Sequence, residues 1–164
     1  MPASKFLKQV NGVLTEEAPV TSSAADKIPA LDGSGKLNQN MMPTGIGPDT
    51  AVIVASEALS AGDFVNIHNS TGAKARKADA TAAGKEAHGF VLAAVSSSGN
   101  ATVYFEGTND QVTGMTPGDV FLATTAGQAT GTAPSGSGNV CQKIGVAISA
   151  TAINFERQPG IVLA

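Results

Sequence analysis

Few residues in this 164-residue chain have a type and spacing that could do chemistry. The two histidines, His68 and His88, stand at the ends of apolar runs. Neither has another His, a Cys or a carboxylate at ligand-like spacing, so both read as structural and no metal site is expected. Asp63 and Asp119 each follow a glycine in the similar strings GDFVNI (62–67) and GDVFLA (118–123), which makes them a pair by repetition. An Asp beside Gly is expected to accept backbone N–H bonds within its own turn. Glu106 and Glu156, each after a repeated Phe, are expected on outward-facing strand positions. Cys141 is the one cysteine, which leaves no intrachain disulfide and suits a small buried strand residue. No nucleophile elbow, phosphate-binding loop, dinucleotide fingerprint or H-E-x-x-H string occurs. The expectation is a protein that is not an enzyme and takes no cofactor.

One charge cluster stands out. Lys74, Arg76, Lys77 and Lys85 are four of the ten basic residues. They fit either a solvated loop or a contact with an acidic partner surface. No aromatic residues interleave with them for base stacking, and the net charge of −3 with a pI near 5.2 argues against nucleic acid as partner. Only 14% of residues are charged and the mean hydropathy is +0.08, a composition that favours life in an assembly. There is no basic stretch leading into an apolar signal core and no apolar run approaching about 18 residues, so no membrane partner is expected and synthesis is expected in the cytoplasm.

The elements that must carry these residues divide at about residue 50. Residues 1–50 hold five of the eight prolines with Gly and Asn punctuation, and no sustained period of 2 or 3.6. They read as an extended N-terminal arm whose spaced apolar residues would each fill a pocket on a partner: Phe6, Leu7, Val13, Leu14, Ile28, Leu31, Leu37, Met41 and Met42. A tail without a core is the alternative. Inside the arm a turn is expected at Asp32-Gly33-Ser34-Gly35. Residues 51–164 read as an all-β domain, a small sandwich or barrel, with strands near 51–55, 64–67, 73–79, 88–95, 101–107, 119–124, 127–132, 140–149 and 151–156. A helical turn is allowed at 57–61.

This β domain reads as a duplicated unit, about 56–107 and 112–157. Gly118 follows Gly62 by 56 residues, and HGFVLA (88–93) returns as IGVAIS (144–149) at the same offset; TVYFEG (102–107) returns as AINFER (152–157) at an offset of 50. Lys and Pro are sparse in the candidate strands, which predicts that exposed sheet edges are shared with another subunit.

Two resemblances follow from particular strings. KIPALDGSGKLNQNMMP (27–43) is similar to linkers in phage tail fibres and related virion appendages. The string from 56 to 107, with Ala61-Gly62-Asp63-Phe64-Val65, Lys77-Ala78-Asp79-Ala80 and Gly89-Phe90-Val91-Leu92, resembles the small β-rich capsid decoration, or cement, proteins of tailed phages. That likeness implies a homotrimer on the outer surface of a capsid, bound to the major capsid protein and localised to the virion. The fibre-like segment implies the alternative, a head or tail fibre subunit with a receptor-binding β domain.

Overall fold

The computed structural model describes residues 5–21, 27–33, 35–38, 41–42 and 47–164. It divides into two units, residues 1–47 and 48–164.

In the first unit, β1 (Phe6–Val10) and β2 (Val13–Glu17) form a hairpin around Asn11 and Gly12. Both turn residues have positive φ, 51° and 83°. That is a type I′ turn, which Asn-Gly favours because its twist matches that of the flanking strands. The expectation of an arm without strand periodicity is corrected here, since FLKQV and VLTEE pair from Phe6 opposite Glu17 to Val10 opposite Val13. Further along, Val20 bridges Pro29. The turn expected at 32–35 is closed by the Gly35 N–H on the Asp32 carbonyl (3.0 Å) and the Lys36 N–H on the Asp32 carboxylate (3.0 Å). Ser34 of that turn lies outside the described residues.

The second unit is all-β. Its first half contains β3 (Thr50–Ala55), β4 (Phe64–Asn69), β5 (Ala73–Lys77), β6 (Gly89–Phe90) and β7 (Asn100–Tyr104). These close into a barrel in the order β3-β5-β4-β6-β7, sealed by the parallel pairing of β3 with β5. A barrel of five strands has a narrow lumen. Its inward positions are accordingly small, with Ala55, Val65, Ala75, Ala101 and Val103 buried together beside Leu59 and Val91. This is how a chain poor in aromatics fills a core.

The second half holds β8 (Gly107–Asn109), β9 (Gly118–Leu122), β10 (Ala129–Thr130), β11 (Val140–Cys141), β12 (Lys143–Ser149), β13 (Ala152–Phe155) and β14 (Ile161–Val162). β11 pairs with β14, and the rest form a sheet in the order β10-β9-β12-β13-β8. With β5-β4-β6-β7-β3 written beside it, the two halves have the same strand order. A shared backbone detail supports the correspondence. A Cβ on Gly89 would lie 2.4 Å from the Tyr104 carbonyl oxygen, and one on Gly145 would lie 2.1 Å from that of Asn154. The repeated glycines therefore permit the same close strand approach.

The copies differ in closure. β8 has three residues and β10 two, so the second sheet stays open and its apolar face covers the outside of the barrel. Val120, Leu122, Ile144, Ala147, Ile153 and Phe155 form one buried cluster with Phe64, Ala78, Ala80, Ala87 and Phe90. At its centre the Phe155 ring lies 5.8 Å from Phe64 and 5.6 Å from Phe90, edge-on to the latter. Strand alternation explains the division of labour in β4, where Val65 points into the barrel and Phe64 outward into the shared core.

Three expectations change. Residues 57–61 form no helical turn, and Leu59 instead bridges Val95. The strand expected at 88–95 shortens to Gly89–Phe90. Open edges are also fewer in the second unit than expected, because the barrel has none and the five-stranded sheet ends in the short strands β8 and β10, while the β1-β2 and β11-β14 pairs keep theirs.

Candidate functional site

In an antiparallel hairpin, opposed residues share a face. One face of the arm hairpin carries Leu7, Gln9, Leu14 and Glu16, and the other carries Phe6, Lys8, Val10, Val13, Thr15 and Glu17. Apolar side chains therefore lie on both faces, with Leu7 71% and Leu14 67% exposed. Of the remaining expected anchors, Ile28, Leu31, Leu37 and Met42 are exposed and Met41 is half-buried. Ion pairs hold the hairpin's polar periphery: Lys5 to Glu16 at 2.6 Å, Lys8 to Glu17 at 3.5 Å, and Lys27 to Glu17. The hydrogen bond from Lys27 is the main cause that keeps the Glu17 carboxyl below its usual range. The Lys5–Glu16 pair, exposed on both sides, adds little, and an isolated two-stranded hairpin is marginal in water. The arm thus displays apolar surface that its own fold does not bury.

The basic cluster lies on and beside β5, and most of it is used within the barrel. Arg76 donates from Nε to Asn66 Oδ1 (3.0 Å) and from Nη2 to the Gly84 carbonyl (2.7 Å), tying the 79–87 loop to β4. Lys77 Nζ pairs with Asp63 at 3.1 Å, and Lys85 Nζ pairs with Asp79 at 3.1 Å. Burial opposes the charge on Asp79, but the Thr81 hydroxyl and N–H, helped by Lys85, outweigh it and hold the carboxyl below its usual range. Lys74 alone of the four has neither an ion pair nor a side-chain hydrogen bond among the described residues, whereas Arg76 is held by its hydrogen bonds and the other two lysines by ion pairs.

The Lys77-Ala78-Asp79-Ala80 string is the clasp between the two copies. Gly127 N–H donates to the Ala78 carbonyl (2.7 Å), Ala80 N–H to Ala123 (2.9 Å), and Val140 N–H to Ala80 (2.8 Å). A second clasp went unread in the sequence. Gln142, 1% exposed, accepts the Ala87 N–H at Oε1 (2.8 Å) and donates from Nε2 to the carbonyls of Ala87 (3.0 Å) and Gln158 (2.9 Å). Its signal was a polar residue inside the apolar run VCQKIGV. Asn109 acts similarly, donating to the Gly62 carbonyl at 2.8 Å.

The two aspartates expected to behave alike have diverged. Asp63 closes its turn by accepting the Ser60 N–H (2.7 Å). Asp119 does not close its turn; it is exposed and pairs across the sheet with Lys143 at 2.8 Å. Glu106 and Glu156 are exposed but lie just beyond strand ends, and Cys141 is half-buried in β11. His88 Nδ1 accepts the Ile67 N–H at 3.0 Å. Burial, with Arg157 nearby, pushes its pKa down and keeps the ring neutral as an acceptor. His68 Nδ1 is buried without a partner among the described residues.

Among the described residues no group of three or more His, Cys, Asp or Glu is placed to hold a metal ion, and no helix is long and apolar enough to cross a membrane. Compared with family models, with curated proteins and with solved structures, the chain matches none.

Proposed function

We propose that this chain is a virion structural protein that decorates and stabilises the outer surface of a phage capsid. On this reading the β domain acts as a trimer where major capsid subunits meet, and the arm lies across neighbouring subunits. It works by binding, without catalysis or cofactor.

The observation that supports this reading most is the hairpin with apolar side chains exposed on both faces. Burying each such side chain on a partner contributes about 1–2 kcal/mol, scaling the value for full burial by its exposure. Several anchors per subunit and many subunits per shell then give multivalent binding that selects the assembled lattice. The resemblance of residues 56–107 to decoration proteins adds to it. The fibre reading keeps one specific support, the Asp32–Lys36 turn inside the segment that is similar to fibre linkers.

The test is binding to matured capsids by the full chain, by a chain lacking residues 1–47, and by the double variant Leu7→Asp, Leu14→Asp, which charges one hairpin face. Loss of binding on truncation, and a fall of about thirtyfold to seven-hundredfold for the double variant, are expected from about 2–4 kcal/mol for the two anchors at 1.4 kcal/mol per decade. Unchanged binding by the truncated chain sinks the arm hypothesis. Blockade of phage adsorption with few copies per particle would favour the fibre.

A further inference from the structure

We propose that the cleft between the two copies of the β unit is a binding site for a neutral, hydroxyl-rich ligand of the size of one sugar ring. The proposal concerns the β domain alone and does not depend on the capsid reading.

The cleft, about 260 Å³, lies where the Ser60–Asp63 turn of the first copy faces residues 111–115 and 126–129 of the second. Its volume is just below the roughly 300–1,000 Å³ of pockets for drug-sized ligands, which suits a single ring and not a chain. Asp63 forms one wall, with its residue only 8% exposed. Oδ2 is committed, accepting the Ser60 N–H at 2.7 Å and pairing with Lys77 at 3.1 Å. Oδ1 accepts no hydrogen bond from the described residues, and it is not among the sealed atoms that lack partners. It lies over Gly127, where a Cβ would come within 2.5 Å of it. The missing side chain at 127 keeps this acceptor open to the cleft.

The other groups fit the same kind of ligand. Lys77 cancels the charge of Asp63, so the site carries no net charge and gives an ion no preference. Gln111 and Gln128 supply amides that can both donate and accept, and the Gln111 amide nitrogen is steadied by Asp110 at 2.9 Å, which leaves its oxygen free. Val112 and Met115 also line the cleft, where they pack on the shared core and add an apolar strip. A sugar ring matches both sides, since each hydroxyl donates and accepts while its C–H face is apolar.

The experiment is saturation-transfer NMR on the full-length protein with glucose, galactose, mannose, rhamnose and N-acetylglucosamine, and with acetate and inorganic phosphate as charged controls. Transfer to at least one sugar is expected, with a dissociation constant on the order of 1 mM for a shallow, wet site. Asp63→Asn, which keeps the shape but loses the charge of the acceptor, should weaken binding about fivefold to tenfold. Met115→Trp, which fills the cleft, should abolish it. Absence of transfer to every sugar overturns the proposal, as does equal or stronger transfer to acetate or phosphate. Unchanged sugar transfer in folded Asp63→Asn overturns it too, and that variant decides the matter if Met115→Trp does not fold.

Discussion

Replacing Gln142 by Leu keeps most of the side-chain volume and deletes the polar end. In the folded protein this leaves three backbone groups without their partner: the Ala87 N–H, the Ala87 carbonyl and the Gln158 carbonyl. Gln158 is exposed, so water replaces the lost bond there. Ala87 is fully buried, so its two groups are orphaned, at about 1–3 kcal/mol each. The expected loss is therefore about 2–6 kcal/mol. At roughly 4 °C per kcal/mol for a domain of this size, Tm falls by about 8–24 °C. Thermal unfolding followed by near-ultraviolet circular dichroism at neutral pH measures it, with Thr108→Val on the exposed strand β8 as a control expected within about 0.5 kcal/mol of the native chain. A loss below about 1 kcal/mol for Gln142→Leu would mean that water reaches Ala87, and the role of Gln142 as the buried link between the copies would be refuted.

Further outcomes follow from the repeated glycines and from His88. Gly89→Ala and Gly145→Ala each force a methyl against a carbonyl and should each cost about 1–3 kcal/mol by overpacking. The loss should be larger at Gly145, whose φ of 143° adds backbone strain; urea midpoints equal to the native one would refute the shared close approach. His88 has its pKa lowered from the ordinary 6.5. Just below pH 6.5 the unfolded chain takes up the proton more readily than the folded one, so this contribution to stability is present above pH 6.5 and is lost as pH falls through the folded value. Urea midpoints measured across that window should decline toward acid, and His88→Gln should flatten the decline; an identical slope in the variant would remove His88 as its cause.

Much of the β domain was legible because two signals agreed. Apolar runs bounded by glycine mark most strands, and the 56-residue offset pairs Gly62 with Gly118 and Gly89 with Gly145. The closure of one copy and the opening of the other were not legible, because they depend on the lengths of β8 and β10, and hydrogen-bond partners across a sheet leave no periodic trace in the chain. The hairpin in the arm was legible in Asn11-Gly12 and was masked by the density of prolines after it. For the candidate interaction surfaces, sequence identified the apolar residues of the arm but grouped Lys74, Arg76, Lys77 and Lys85 by proximity alone. Three of them are bound within the barrel, since neighbours along a strand face opposite sides and meet different partners.

The pairing of β3 with β5 also sets an order of events. Every strand of the barrel precedes residue 105, so once Tyr104 has emerged from the ribosome all the alanines and valines of the barrel's own cluster are present, before the last strands of the second copy have emerged. The later copy has no such independence, because without Phe64 and Phe90 to cover them, Leu122, Ile144 and Phe155 would face water. A duplicated unit has thus become a leader and a follower. A fault in the leader should disable both halves, whereas a fault in the follower should leave a closed barrel with one exposed apolar side, a species prone to associate with its own kind.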